Sequence, residues 1–215
     1  RVVPMQDKIL ATAIDATDEY KLKADLRGPI RETFFAAVNR KKDDVIYNAL
    51  LGGISSRTTY DGAFTTVDLP ATQKITLTTG VDTGMFTQIL AMFMNNECGI
   101  ESDEEIYITY NAAMMKSILD NEKLTDADYA AVKMLWEGKV EGKWLGMNWI
   151  PYNRMRDGAG EGTKVGVAWA KSGIEFGWNN PKDFRIDERP DLEYATQFGG
   201  AYSFGAGRND EKKVV

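Results

Sequence analysis

The stretch LTDADYAAVKMLWEGKVEGKWLGMNWIPYNRM, residues 124–155, decides how this chain reads. Thr125 with Asp128 three residues on is a capping-box-like helix start, using Asp in place of Glu or Gln. The helix that follows places Tyr129, Val132, Leu135 and Trp136 together and stops at Gly138. Trp144 to Ile150 then reads as a strand, ended by Pro151. Further along, VGVAWAKSGIEFGWNN (165–180) and FRIDERPDLEYATQFGGAYSFGAGRNDEKKVV (184–215) continue as Gly- and Trp-punctuated strands and a long extended tail. Val165–Lys171 alternates as a strand does, Ile174–Trp178 is a strand or one helical turn, and Phe184–Glu188 and Leu192–Phe204 are two more extended pieces.

Toward the N-terminus, Pro29 opens a longer helix, because a proline in the first turn sacrifices no helical hydrogen bond. Phe34, Phe35, Val38, Val45, Ile46, Ala49 and Leu50 recur at helical spacing up to Leu51, and Gly52-Gly53 ends the run. Ahead of it, Val2 and Val3 look like a strand end before Pro4, and Gln6–Thr17 reads as a short helix with Ile9, Ala13 and Ala16 on one face. Ser55–Thr79 reads as loop and strand, with Ile75, Thr76 and Leu77 extended. Asp82 or Thr83 caps a helix carrying Met85, Phe86, Ile89, Leu90 and Phe93 and ending near Asn96. Ile106–Ile108 is a short strand, and Asn111–Leu119 a helix with Met114, Met115, Ile118 and Leu119 on its apolar side. The order does not alternate as βαβ units do, so the class is α+β.

Composition narrows the chemistry. The 215 residues suffice for one or two domains. The formal charge is −6, which opposes tight general binding to phosphate backbones. There is no histidine, hence no Ser-His-Asp or Cys-His site, no His-ligated zinc and no imidazole shuttle. A single cysteine, Cys98, excludes an internal disulfide and suits a passive, buried or half-buried thiol in a reducing compartment. No apolar run approaches membrane-spanning length, and no signal peptide is visible. The chain starts at Arg1 without an initiator methionine, so an N-terminal part is expected to be processed away or not included.

Four local clusters invite chemistry and decline it. Gly158–Lys164 lacks the phosphate-loop order, since Thr163 precedes Lys164 and Glu161 repels phosphate; it reads as a flexible surface loop. Glu101, Asp103, Glu104 and Glu105 lack Ca²⁺-loop spacing and read as a solvated turn. Asp43 and Asp44, beside Lys41 and Lys42, point to different helix faces and suit an exposed face or a contact with a neighbouring subunit. Trp136, Trp144, Trp149, Trp169 and Trp178 flank strands and suit packing better than a stacking platform. No catalytic, cofactor-binding or metal-ligating residue emerges; the residues alone support a soluble α+β domain outside the hydrolases.

Three segments together resemble the major capsid protein family of tailed bacteriophages. In LATAIDATDEYKLKADLRGPIRETFFAAVNRKKDDVIYNALLGG (10–53), Asp43, Asp44, Val45, Ile46, Ala49, Leu50 and Gly52 stand where that family's spine helix ends. In 124–155, Gly138, Val140, Leu145, Gly146, Trp149 and Ile150 match its turn and strand. From Val167 on, Ala168, Trp169, Lys171, Ile186, Glu188, Arg189, Asp191, Ala195, Gly205, Ala206, Arg208, Val214 and Val215 fit. The resemblance implies an α+β, Hong Kong phage 97-type capsid fold. Residues 1–26 would be a remnant of an extended loop and a lead-in, and 27–80 a peripheral domain with its spine helix at about 27–51. Residues 81–180 would be mainly the axial domain, and 181–215 the return strands of the peripheral domain. It implies a non-enzymatic coat subunit without cofactors that assembles in the host cytoplasm and ends in the virion. Its partners would be copies of itself in hexamers and pentamers, scaffolding and portal proteins, and double-stranded DNA held non-specifically, with no membrane. Alternatives are an encapsulin-like nanocompartment shell, a small-molecule enzyme using carboxylate, Lys or Tyr chemistry, and a tryptophan-based carbohydrate or nucleic-acid module.

Overall fold

The computed structural model describes residues 1–15, 27–76, 82–98, 103–120, 143–158 and 163–215. The helix expected at 125–138 lies outside these, as do Glu101, Trp136 and the centre of the 158–164 loop. The chain divides into two units, Val2–Ala49 with Phe176–Gly207, and Leu50–Glu175 with Arg1 and Arg208–Val215.

The first of these units pairs one helix with one sheet. Helix α1 (Arg27–Leu51) begins two residues before Pro29, and its main part lies in this unit. The sheet has order β1-β9-β8, with β1 Gln6–Ile14, β8 Ile174–Arg189 and β9 Ala195–Arg208. Phe34 and Val38, one helical turn apart, bury against Tyr202 and Phe204 of β9, with Phe176 and Phe184 of β8 beside them. Phe34 meets Phe184 edge to face at 5.0 Å between ring centroids, a favoured aromatic geometry.

The helix expected at Gln6–Thr17 is instead strand β1, and it lies beyond Pro4. Nine consecutive residues pair antiparallel with β9, from Gln6↔Phe204 to Ile14↔Thr196. The local apolar stripe is too weak to bury a helical face, while β9 offers a full ladder, so tertiary pairing overrides local preference. The extended piece expected at Leu192–Phe204 starts later. Pro190–Leu192 form a 3₁₀ turn, Glu193 and Tyr194 hold φ of 52° and 61°, and the strand begins at Ala195.

The second unit centres on a four-stranded sheet of order β5-β6-β4-β7. Its strands are β4 Ile106–Tyr110, β5 Lys143–Trp144, β6 Met147–Pro151 and β7 Ala168–Ala170. β4 runs parallel to β6 and antiparallel to β7. Helices α2 (Thr83–Asn95) and α3 (Ala112–Leu119) contribute Phe86, Ile89, Phe93, Met115 and Ile118 to one core with Ile106, Ile108, Met147 and Trp149. Asn111 caps α3, its side-chain oxygen accepting from the Met114 N–H at 2.7 Å. α2 ends in a Schellman arrangement. The Cys98 N–H donates to the Phe93 carbonyl at 2.9 Å and the Glu97 N–H to the Met94 carbonyl at 3.0 Å, with Glu97 left-handed at φ 57°. That turn folds Cys98 back onto the core.

Trp144–Ile150 is not one strand but a hairpin. Leu145 and Gly146 hold φ of 52° and 75°, as a primed two-residue turn requires. The turn brings Trp144 and Trp149 within 5.1 Å, and the Trp149 indole N–H donates to the Trp144 carbonyl at 3.0 Å. Between residues 54 and 76, β2 (Ile54–Ser56) and β3 (Thr65–Val67) form a separate two-stranded ribbon. Ala71–Gln73 is a 3₁₀ turn, and Ile75 and Thr76 belong to no strand.

Candidate functional site

The charged groups with the most defined surroundings serve the C-terminal strap, Arg208–Val215. Val215 pairs with Ala168 through two backbone hydrogen bonds of 2.8 Å, and Val214 is fully buried beside Trp169, so the chain end extends the sheet at β7. Arg208, at the end of β9, is fully buried. Its guanidinium donates to the Leu50 carbonyl at 2.9 Å and the Val67 carbonyl at 3.0 Å, while Nε has no partner among the described residues. Leu50 lies in the last turn of α1, where carbonyls lack helical donors and the helix dipole favours a cation. Burial pulls the Arg208 pKa down against the pull of Glu211.

Acid–base pairs then pin the strap. Arg1 forms a two-pronged bond to Glu211 at 2.6 and 2.5 Å and also donates to the Arg208 carbonyl at 3.2 Å. Glu104 accepts from the Ser172 N–H at 2.5 Å and from Lys213 at 3.0 Å, and Lys213 also donates to the Ser172 hydroxyl. Burial alone raises the Glu104 pKa; the Ser172 and Lys213 contacts outweigh it and hold the carboxyl below its ordinary value. Glu211 is likewise held down, by Arg1 against burial. At Gly173 an added Cβ would stand 2.9 Å from the Lys213 carbonyl oxygen, so the strap passes where a side chain does not fit.

These contacts place the clusters that the sequence singled out. The acidic turn is not simply solvated: Glu104 is 13% exposed in its ion pair, and Glu105 accepts from the Tyr107 hydroxyl at 2.7 Å between Lys143 and Lys171. Trp144, Trp149 and Trp169 are packed in the interior, Trp169 stacking on Tyr107 at 5.7 Å. Trp178 is exposed, with the Lys42 ammonium 4.2 Å above its ring. Asp43 and Lys41 are exposed on α1. Cys98 is buried, which pushes its thiol pKa up. Lys164 pairs with Asp157 at the neck of the glycine loop. Among the described residues, no group of three or more His, Cys, Asp or Glu side chains could hold a metal ion.

Sequence reasoning missed Arg208, Arg1 and Lys213 as parts of one lock. The signal for Arg208 is a lone arginine closing an otherwise uncharged strand, AYSFGAGR. The residues that carried the resemblance do meet: Leu50 with Arg208, and Ala168 with Val215.

Residues 1–215, the whole chain, match the phage capsid protein family. The chain belongs to that family. The capsid structure of the cyanophage P-SCSP1u has the same fold, with a TM-score of 0.65 at 16% identity over 99% of this chain and 72% of that one. A Mycobacterium phage Che8 chain gives 0.62 at 16% identity over 98% and 69%. The capsid of Ralstonia phage GP4 gives 0.65 at 11% over 97% and 71%. No curated protein matches in sequence. The fold is therefore the α+β, Hong Kong phage 97-type capsid fold. The phage capsid chain is a major capsid protein, a structural component of the icosahedral head shell and so of the virion, and its copies assemble together. Among the described residues, no helix is long and apolar enough to cross a membrane.

Proposed function

We propose that this capsid subunit tiles its shell as hexamers and pentamers, assembled in the host cytoplasm with scaffolding and portal proteins, and encloses double-stranded DNA without gripping it. We assign the unit holding most of α1 and the β1-β9-β8 sheet to the peripheral domain, and the unit holding the four-stranded sheet to the axial domain. The observation that carries this reading is the match to the capsid family along all 215 residues.

Physical considerations support its parts. Head-to-tail contacts between identical subunits close into rings when the rotation fits. A charge of −6 weakens attraction to phosphate, as a container for DNA requires. The chain is read as a structural subunit that does no catalysis, in keeping with its capsid family. Electron microscopy of particles from cells expressing the full gene product tests the reading. Closed shells with fivefold and sixfold capsomers are expected. Soluble monomers under all assembly conditions would refute it, and shells filled with a protein cargo and no nucleic acid would replace DNA by enzymes as the contents.

A further inference from the structure

The β2–β3 ribbon carries an arrangement that its own fold does not use. Ile54 and Leu69 are buried at its base, but the connection from Arg57 to Phe64 is exposed almost throughout. Tyr60 is 84% exposed and Phe64 50% exposed. The Arg57 guanidinium lies 5.2 Å from the Tyr60 ring centroid and 5.1 Å from that of Phe64, so one cation organises two rings. The turn beneath is closed by the Gly62 N–H donating to the Thr59 carbonyl at 3.1 Å. A two-stranded ribbon is marginal by itself in water, and exposed aromatics add nothing to it. Tyr and Arg are instead the side chains that dominate interface energies when desolvated.

We propose that the Arg57–Tyr60–Phe64 tip is a docking knob that seats on a neighbouring copy of this chain, in a head-to-tail contact of the shell. The inference rests on the shell reading above and adds the site of one contact. The occupant follows from the family, whose copies assemble together, so each subunit is surrounded by copies of itself. DNA is disfavoured, because the tip's single cation, Arg57, is offset by Asp61 in the same connection. The contact is heterologous, since a two-fold contact of the knob with itself would set Arg57 against Arg57. Heterologous contacts close rings, as a shell needs.

The test uses the full gene product with a benzophenone amino acid at Tyr60, irradiated in assembled particles and mapped by mass spectrometry. Cross-links to a second copy, absent in dissociated subunits, are expected. Cross-links to DNA alone, or none beyond the dark control, would overturn the proposal. In parallel, Arg57→Glu and the Tyr60→Ala/Phe64→Ala double variant are expected to raise the protein concentration for half-assembly by about tenfold or more. The melting temperature of the dissociated subunit should change little, because Tyr60 is almost wholly in water and Phe64 half so. Unchanged assembly would overturn the knob while leaving the shell reading intact. Failure of the wild-type protein to form any particle would remove the shell reading and this inference with it.

Discussion

Replacing Arg208 probes the C-terminal lock most directly. Two charge-assisted hydrogen bonds, at 2.9 and 3.0 Å, would be lost. At about 1.5–3 kcal/mol each, they total about 3–6 kcal/mol. Against this, the folded chain keeps a buried guanidinium whose Nε has no partner among the described residues, a liability of about 1–3 kcal/mol that any replacement removes. Arg208→Met, which roughly fills the same space, should therefore cost about 2.5 kcal/mol, the difference between the two midpoints. Arg208→Ala also loses three buried methylenes at about 0.8 kcal/mol each, for a total of about 4–6 kcal/mol. Arg208→Lys keeps a cation at the α1 C-terminus but cannot span both carbonyls, and should be the mildest. Urea unfolding of dissociated subunits reads the order through Trp144 and Trp149, which share a unit with the lock. If Arg208→Met proves as stable as the wild type at an unchanged urea slope, desolvation outweighs the two hydrogen bonds and the lock argument is wrong.

Glu104 and Glu211 have folded pKa values below their unfolded ones, so their stabilisation is present above the unfolded value of about 4.3 and is lost as pH falls through the depressed folded values. Stability should therefore fall as pH drops below about 4.3, and Glu104→Gln with Glu211→Gln should be less stable at pH 7 yet show a flatter acid slope. Glu97→Gly should stabilise the subunit by about 1 kcal/mol, because glycine holds the left-handed C-cap of α2 without strain; a loss in melting temperature would contradict the Schellman assignment. Buried Cys98 should resist iodoacetamide in the native subunit and react fully in urea; rapid native labelling would place the thiol outside the core.

Legibility followed burial. α1, α2 and α3 were visible because each buries an apolar stripe and carries a local start signal: Pro29, the Asp82–Thr83 step and Asn111. β1 was not, because its pairing with β9 is set by a partner far along the chain and most of its side chains face water. The hairpin at Leu145 and the turn at Glu193–Tyr194 were hidden for another reason. Their left-handed residues are mostly not glycine, so the usual marker of positive φ is absent. The lock was invisible because a lone arginine or lysine reads as exposed, and only the folded chain shows Arg208 meeting α1 and Lys213 meeting Glu104. The family resemblance registered Leu145, Gly146 and Arg208 without their mechanics.

The division of labour among side chains makes physical sense for a subunit that works by repetition. Arg208, Glu211, Arg1, Lys213 and Glu104 are spent holding the chain end in place. Large apolar groups are left in water at several points along the chain, Ile9 at 80%, Tyr60 at 84%, Tyr194 at 68% and Trp178 at 53% exposure. Several small contact points suit a body surrounded by copies of itself, where each contact can be weak because a closed shell makes every one of them many times. Weak, distributed contacts also let misplaced subunits leave before the shell closes, which one large sticky face would prevent.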